Sequence, residues 1–244
     1  MSDVQTVPLS APLYRELERR MRDALESGDW KPGDAIPAER RLAERYGVSI
    51  GTVRKAIDAL VDANLLIRQQ GRGTFVATHT RDRLLYYFFH VVPEGGGKEY
   101  PDVRTVAFAR AKADRVEAEK LAIALADPVI RVRNLLRLGG EPIIVDDISL
   151  SAARFPGLTE KQFRERPSTI YHLYQDGFGI TIARSSERLR ASVADADAAA
   201  LLGLPRGAPL LTIRRVALGL AGEPIEWRVS RVNTARHEYY AEIG

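Results

Sequence analysis

The sequence predicts an α+β protein in two parts: a small helical part closed by a β-hairpin, then a larger part built on a mixed, mostly antiparallel sheet. Three observations carry this. Residues 37–76, PAERRLAERYGVSIGTVRKAIDALVDANLLIRQQGRGTFV, hold two short helical patterns hinged at Gly47, then two strand patterns around a basic, glycine-rich tip. Beyond residue 83 the apolar segments are mostly strand-length, and several alternate. Within that second part, one unit of pattern occurs twice.

The elements follow in order. A first helix is expected over 12–27, with Pro12 in the first turn and Leu13, Leu17, Met21 and Leu25 forming an apolar stripe. Gly28 ends it, and Trp30 in the following turn is the expected anchor of a small core. Helix two is expected over 38–46 and helix three over 50–63, with Ser49 as N-cap. Ala43 and Gly47 are small, as a sharp helix-turn-helix requires. Strands over 65–69 and 74–77 flank Gly71-Arg72-Gly73, whose glycines can take positive φ. Residues 78–83 are polar and read as a linker, which divides the chain into 1–77 and 84–244.

In the second part, strands are expected over 84–92, 103–109, 129–138, 143–150, 180–190, 210–220 and 225–232. Helices are expected over 113–126, 159–164, 168–175 and 194–202. The repeat pairs 117–150 with 197–232: helix, proline-containing turn, strand, Gly-Glu-Pro turn, strand. Two such copies would build a pseudo-symmetric sheet with a cleft between halves. Two ordinary hairpins sharing one turn chemistry would give the same pattern.

Composition narrows the chemistry. The chain of 244 residues is 45% hydrophobic and 28% charged, enough to bury real cores. The formal charge of +4 is modest, and basic and acidic residues are interspersed, so net charge alone does not indicate nucleic acid. There is no cysteine, which excludes disulfides and thiolate metal sites. No apolar run reaches the ~18 residues of a membrane span, and no signal-peptide pattern opens the chain, so a cytoplasmic protein without a membrane partner is expected. The four histidines lack metal-ligand spacing, and there is no P-loop or Gly-x-Ser-x-Gly elbow. No catalytic residue, metal or cofactor is expected.

Helix three has the residues a major-groove reader needs on its N-terminal face. Ser49 and Thr52 can donate to phosphates, Gly51 permits close approach, and Arg54 and Lys55 reach outward. Arg54 is long enough to pair with a guanine edge or a phosphate. Arg40 opens helix two, and Gly71 and Gly73 would let Arg72 enter a minor groove. A solvated basic face on a small helical core would show many of the same residues. The joint occurrence of helix-turn-helix spacing and a Gly-Arg-Gly hairpin favours DNA.

Residues 12–76 resemble the winged helix-turn-helix of the GntR family of bacterial transcription regulators. The match is carried by Pro12-Leu13-Tyr14, Gly33-Asp34, Ile36-Pro37-Ala38-Glu39-Arg40, Leu42-Ala43, Gly47-Val48-Ser49, Thr52-Val53-Arg54 and Gln70-Gly71-Arg72-Gly73-Thr74-Phe75-Val76. The resemblance implies that Arg40, Thr52, Arg54 and Gly71 contact operator DNA. One position departs: relatives commonly place arginine or a polar residue where Ile50 stands, and isoleucine can only touch a thymine methyl.

Residues 84–243 resemble the UTRA effector domain of the HutC-like branch of that family. The match is carried by the two Gly-Glu-Pro turns, Phe155-Pro156-Gly157-Leu158, Ser168-Thr169-Ile170-Tyr171, Leu201-Leu202-Gly203 and Pro224-Ile225-Glu226. It implies a chorismate-lyase-like fold that binds a small molecule and changes the geometry of a homodimer. It also implies acidic ligand contacts at Asp146 and Glu226 and pocket positions at Phe89 and His90. Arg131, Arg133 and Arg137 share a strand face by spacing and could meet an anionic group, with Arg184 and Ser185 as further candidates. Each could equally be an ordinary strand charge, solvated or paired. Where many relatives carry a polar residue, Val232 cannot hydrogen-bond.

The expected protein is a DNA-binding regulator on palindromic double-stranded operator DNA, modulated by a small polar or anionic metabolite. The alternatives are a lyase-like enzyme using Glu226 as acid or base, and an effector-independent DNA binder.

Overall fold

The computed structural model describes residues 12–80 and 87–241. The chain divides into two compact units, Met1–Ala77 and Thr78–Gly244.

The first unit begins with α1 (Leu13–Glu26). Leu17, Met21 and Leu25 are buried as the stripe requires, but Leu13 is 62% exposed and lies off the core. α2 (Glu39–Tyr46) ends at Gly47, whose φ of +64° suits glycine, and α3 (Ile50–Asp62) follows. Ser49 caps α3, its Oγ accepting from the Thr52 N–H at 3.1 Å. β1 (Leu66–Gln69) and β2 (Gly73–Val76) pair antiparallel, with Gln69 opposite Gly73. Ala35 bridges to Phe75, so the turn after Trp30 flanks the hairpin. Met21, Leu42, Val53, Leu60 and Trp30 fill the core. Each such side chain contributes roughly 1.5–3 kcal/mol by burial.

The second unit is organised on a six-stranded sheet. Its strands are β4 (Asp102–Lys112), β5 (Pro128–Leu138), β6 (Glu141–Ser151), β7 (Arg184–Val193), β8 (Pro209–Leu218) and β9 (Pro224–Val232). They lie in the order β4-β5-β6-β9-β8-β7, and every pairing among the described residues is antiparallel. The expected mixture of directions is therefore absent there. α4 (Arg115–Leu121) follows β4, and α7 (Ala196–Leu202) follows β7. The strand order is a palindrome of one unit, strand–helix–strand–strand, used twice. The repeat is thus longer by one strand than its sequence trace. Its halves join directly through β6 and β9, so no gap opens between them in the sheet.

One sheet face packs on α4 and α7. Trp227 and Val129 meet Leu121, while Leu135 and Val145 meet Ala198 and Leu202. Over the other face lie α5 (Glu160–Arg164), α6 (Ile170–Phe178) and an aromatic cluster of Phe155, Phe163, Tyr171 and Tyr174. A short ribbon of β3 (Val91–Pro93) and β10 (His237–Tyr239) covers the far end of that face.

Several boundaries differ from expectation for local reasons. Of the strand expected over 84–92, residues 84–86 lie outside the described residues, and Tyr87 and Phe88 are helical rather than extended. The Phe88 ring packs edge-on to Tyr171, 5.0 Å between centroids, rather than standing in a ladder. The helix expected over 113–126 is cut to seven residues by a capping box at Asp114 and Glu117 and by the left-handed Ala122. α6 starts after Thr169, not Ser168, and runs on to Gly179. β7 starts only at Arg184, because Ile180 and Ile182 pack into the aromatic cluster. β10 was not expected; its residues, His-Glu-Tyr, carry no alternating apolar signal.

Candidate functional site

On the first unit, the N-terminus of α3 presents a compact surface. Ser49 and Thr52 hydroxyls lie 2.9 Å apart and share a hydrogen bond. Arg54 donates Nε and Nη2 to Glu39 Oε2 at 3.2 and 2.8 Å, joining α3 to the start of α2. That bond raises the Arg54 pKa, so the guanidinium stays charged. Arg40 is exposed beside Glu44. Gly51, Lys55 and Ile50 are exposed on α3. At the hairpin tip, Gly71 and Gly73 take φ of +72° and +115°, and Arg72 lies over the Phe75 ring at 5.8 Å. All ten residues expected to meet DNA therefore lie at the α2 start, the α3 start or the hairpin tip of one unit.

On the second unit, a cavity of about 430 Å³ opens on the sheet face opposite α4 and α7. Its polar floor is set by strand register. Asn134 stands opposite Asp146 across β5 and β6, so both point to the same face. Arg228 and Ser230 on β9 and Arg215 on β8 also line the cavity. Arg228 donates to Asp146 at 3.1 Å and forks onto Glu226 at 2.8 and 3.0 Å. Glu226 is fully buried and also accepts from Tyr174 at 2.8 Å. Burial disfavours the Arg228 charge, but Glu226 and Asp146 outweigh it and raise the pKa well above the ordinary value. Burial pushes the Asp146 carboxyl up, with Arg228 opposing. Arg215 is fixed by Glu187 at 2.5 Å and by the Phe88 carbonyl.

Among the described residues, two polar groups at this cavity are left without a hydrogen-bond partner. Asn134 accepts from Thr105 through Oδ1, while its buried Nδ2 has no partner. Arg166 stacks on Phe163 and donates Nη1 to the Phe163 carbonyl, yet its buried Nε has no partner. Among the described residues no carboxylate pairs with Arg166, and burial lowers its pKa. Such groups are costly unless something completes them. Ser168 and Thr169 at the start of α6 line the same cavity.

Of the expected effector residues, Phe89, His90 and Asp146 line this cavity. Glu226 does not; it lies behind Arg228 and holds that side chain in place. Arg131 and Arg133 fall on the opposite sheet face. Arg133 stands opposite Asp147 and bonds it at 2.6 Å, and Arg131 pairs with Glu117 at 2.7 Å. Arg137 bonds the Gly140 carbonyl within its own hairpin. Arg184 and Ser185 lie at the start of edge strand β7, away from the cavity. Val232 is fully buried in an apolar cluster, so its lack of a polar group concerns packing. Arg215, Arg228, Arg166 and Asn134 were missed. Period two was the available signal for Arg228, which shares a face with Glu226; Asn134 shares one with Asp146 only through the register of β5 on β6.

A helix-turn-helix with a basic wing, on one chain with an α+β unit enclosing a polar cavity, defines a ligand-responsive DNA-binding regulator. Residues 13–76 match the bacterial regulatory proteins of the gntR family, and residues 97–238, more than half of the chain, match the UTRA domain. The chain belongs to the GntR family, in its HutC-like branch with a UTRA domain. It is 27% identical to the mannosyl-D-glycerate transport/metabolism system repressor MngR of Escherichia coli, over 93% of this chain and 94% of that one. It is 26% identical to the histidine utilization repressor of Klebsiella aerogenes, over 84% of each. The crystal structure of PhnF from Mycobacterium smegmatis superposes with a TM-score of 0.55 at 26% identity, covering 96% of this chain and 99% of that one. The chain is a transcription regulator and not an enzyme.

Proposed function

We propose that residues 1–77 read a palindromic operator, that 78–83 link, and that 84–244 bind a small anionic metabolite and hold two copies together as a cytoplasmic homodimer. In this reading Arg40, Ser49, Ile50, Gly51, Thr52, Arg54, Lys55 and the Gly71–Gly73 wing touch DNA. Phe89, His90 and Asp146, joined by Arg166, Arg215, Arg228 and Asn134, touch the effector. The chain acts as a repressor whose operator affinity the effector changes.

The observation that supports an anionic effector is Arg166, a half-buried arginine at the cavity whose buried Nε has no partner and which no carboxylate among the described residues pairs with. An anion there completes both its charge and its hydrogen bonds. The relatives are named for mannosyl-D-glycerate and for histidine utilization, and both molecules are small, polar carboxylates. A homodimer would place two α3 helices about one DNA turn apart, as a palindrome demands.

The test is a thermal-shift screen of sugar acids, amino acids and phosphate esters, followed by gel shifts on DNA from upstream of the gene over a salt series. A ligand at 100 times its Kd stabilises by about 2.7 kcal/mol. The expected hits are anions that alter operator binding and are lost on Arg166→Gln. Arg54→Ala is expected to abolish specific binding. A folded protein with no salt-dependent DNA binding, or hits confined to cations, would overturn the proposal.

A further inference from the structure

We propose that Ile50 reads the 5-methyl group of a thymine in each operator half-site, and so sets base preference through an apolar contact. The inference rests on the reading of α3 as the helix that enters the major groove.

Ile50 is the first residue of α3 and remains 44% exposed. A single exposed apolar side chain is ordinary on a protein surface. Its neighbours make this one informative. From Ser49 to Arg54 the other side chains are polar, buried or absent, so none of them offers an exposed apolar surface. Ser49 Oγ accepts from the Thr52 N–H, and the two hydroxyls hold each other at 2.9 Å. Gly51 has no side chain, and an added Cβ would meet only Ser49 Oγ at 3.8 Å. Val53 is fully buried. Arg54 donates Nε and Nη2 to Glu39 in an exposed pair, and its contribution to DNA is polar.

The exposed apolar surface among Ser49–Arg54 at the leading end of α3 is therefore the isoleucine. In the major groove the thymine 5-methyl is the apolar mark on base edges, and isoleucine carries no donor or acceptor with which to read the others. The absent Gly51 side chain leaves room for the helix end to come close. The contact replaces two hydrated apolar surfaces by one buried pair.

The experiment uses the full chain and a randomised double-stranded library. After selection, each dT of the enriched site is replaced in turn by deoxyuridine, which lacks only the methyl group. The expected result is one dT per half-site whose replacement weakens wild-type binding about three- to fivefold, the worth of one buried methyl. Ile50→Ala should be indifferent to that replacement, Ile50→Val should retain the preference, and Ile50→Arg should select a different base there. Ile50 is exposed, so unchanged circular dichroism and melting temperature are expected and confirm folding of each variant. An enriched site in which no deoxyuridine costs wild type more than Ile50→Ala would overturn the inference while leaving α3 as the reader. Failure to enrich any site would overturn both.

Discussion

Asp146 and Arg228 occupy equivalent positions of the repeated unit, each four residues past the proline of its Gly-Glu-Pro turn, and they pair with one another at 3.1 Å. The cavity floor is thus built where the two halves meet, one half contributing an anion and the other a cation. Asn134 and Arg215 extend the relation, each six residues past the proline that opens β5 or β8. The unit strand–helix–strand–strand occurs twice and its copies join through β6 and β9, so equivalent positions meet at the floor, and the unlike residues there give it two unlike sides.

Replacing Arg228 by methionine leaves Asp146 and Glu226 buried without their cation. Loss of one partner from a buried ion pair costs about 3–5 kcal/mol. Asp146, whose carboxyl burial already pushes up, would lose the cation that opposes that rise. A raised carboxyl pKa favours folding at low pH and loses that contribution as pH rises through it. The loss should therefore be larger at pH 8 than at pH 5. Urea unfolding at both pH values measures it, and an equal or smaller loss at pH 8 would contradict the assignment.

His79 ties the beginning of the second unit to the cavity wall. It lies two residues beyond Ala77, whose N–H donates to Leu65 in the first unit. Its own N–H donates to Gln175 Oε1 at 3.0 Å, and its Nε2 accepts from Ile182 N–H at 3.1 Å. Its ring meets Phe88 and Tyr171 at 6.0 and 5.7 Å, and both of those side chains line the cavity. A ligand that displaced either ring would press on His79, two residues beyond the end of the first unit. His79→Phe keeps a ring but removes the Nε2 acceptor. It should retain ligand binding by thermal shift and operator binding by gel shift, while the ligand-induced change in operator affinity falls from the ordinary 5- to 150-fold to below about twofold. An undiminished change would exclude His79 from the coupling.

Glu117 is the clearest source of acid sensitivity. Burial alone would raise its pKa. Arg131 at 2.7 Å, the Asp114 N–H at 2.9 Å and the Ser149 hydroxyl at 2.7 Å outweigh burial and hold it at about 2. Its folded pKa lies below its unfolded one, so its contribution is complete above the unfolded pKa and is lost as pH falls toward 2. Glu117→Gln should cost about 1.5–3 kcal/mol near neutrality, as loss of charged hydrogen bonds does. It should also flatten the fall in stability between pH 4.5 and 2. Equal slopes in that window for both proteins would refute the assignment.

The DNA-reading half was legible because local rules determine it. Gly47, the Ser49 cap and the Gly71–Gly73 tip are short-range signals, and their elements appear within two residues of expectation. The cavity was less legible because it depends on pairing across distant strands. Arg131, Arg133 and Asp146 all carry the right chemistry, yet one residue of register separates the two faces. Asn134 opposite Asp146 and Arg133 opposite Asp147 decide which side chains share a space. Arg166 and the start of α6 reach the floor from another part of the chain, and no periodicity records that.

The repeat also exposes two residues under backbone strain. Ala122 ends α4 at φ +52° and Ala126 follows at +65°. The equivalent positions after α7 are Gly203 at +67° and Gly207 at +85°. Backbone bonding is the same in both copies, Ala126 N–H to Ala113 and Gly207 N–H to Ala194. A left-handed conformation costs an alanine roughly 1–2 kcal/mol, and glycine's greater unfolded-state freedom offsets part of any relief. Ala122 and Ala126 are exposed, so little packing is lost with their methyl groups. Ala122→Gly and Ala126→Gly should each stabilise by about 0.5–1 kcal/mol. Gly203→Ala, whose added methyl would meet nothing within 4 Å, should destabilise by about 1 kcal/mol through backbone strain alone. Urea midpoints of the three variants test the symmetry directly. Destabilisation by either glycine would show that the two turns, though alike in bonding, are held by different forces.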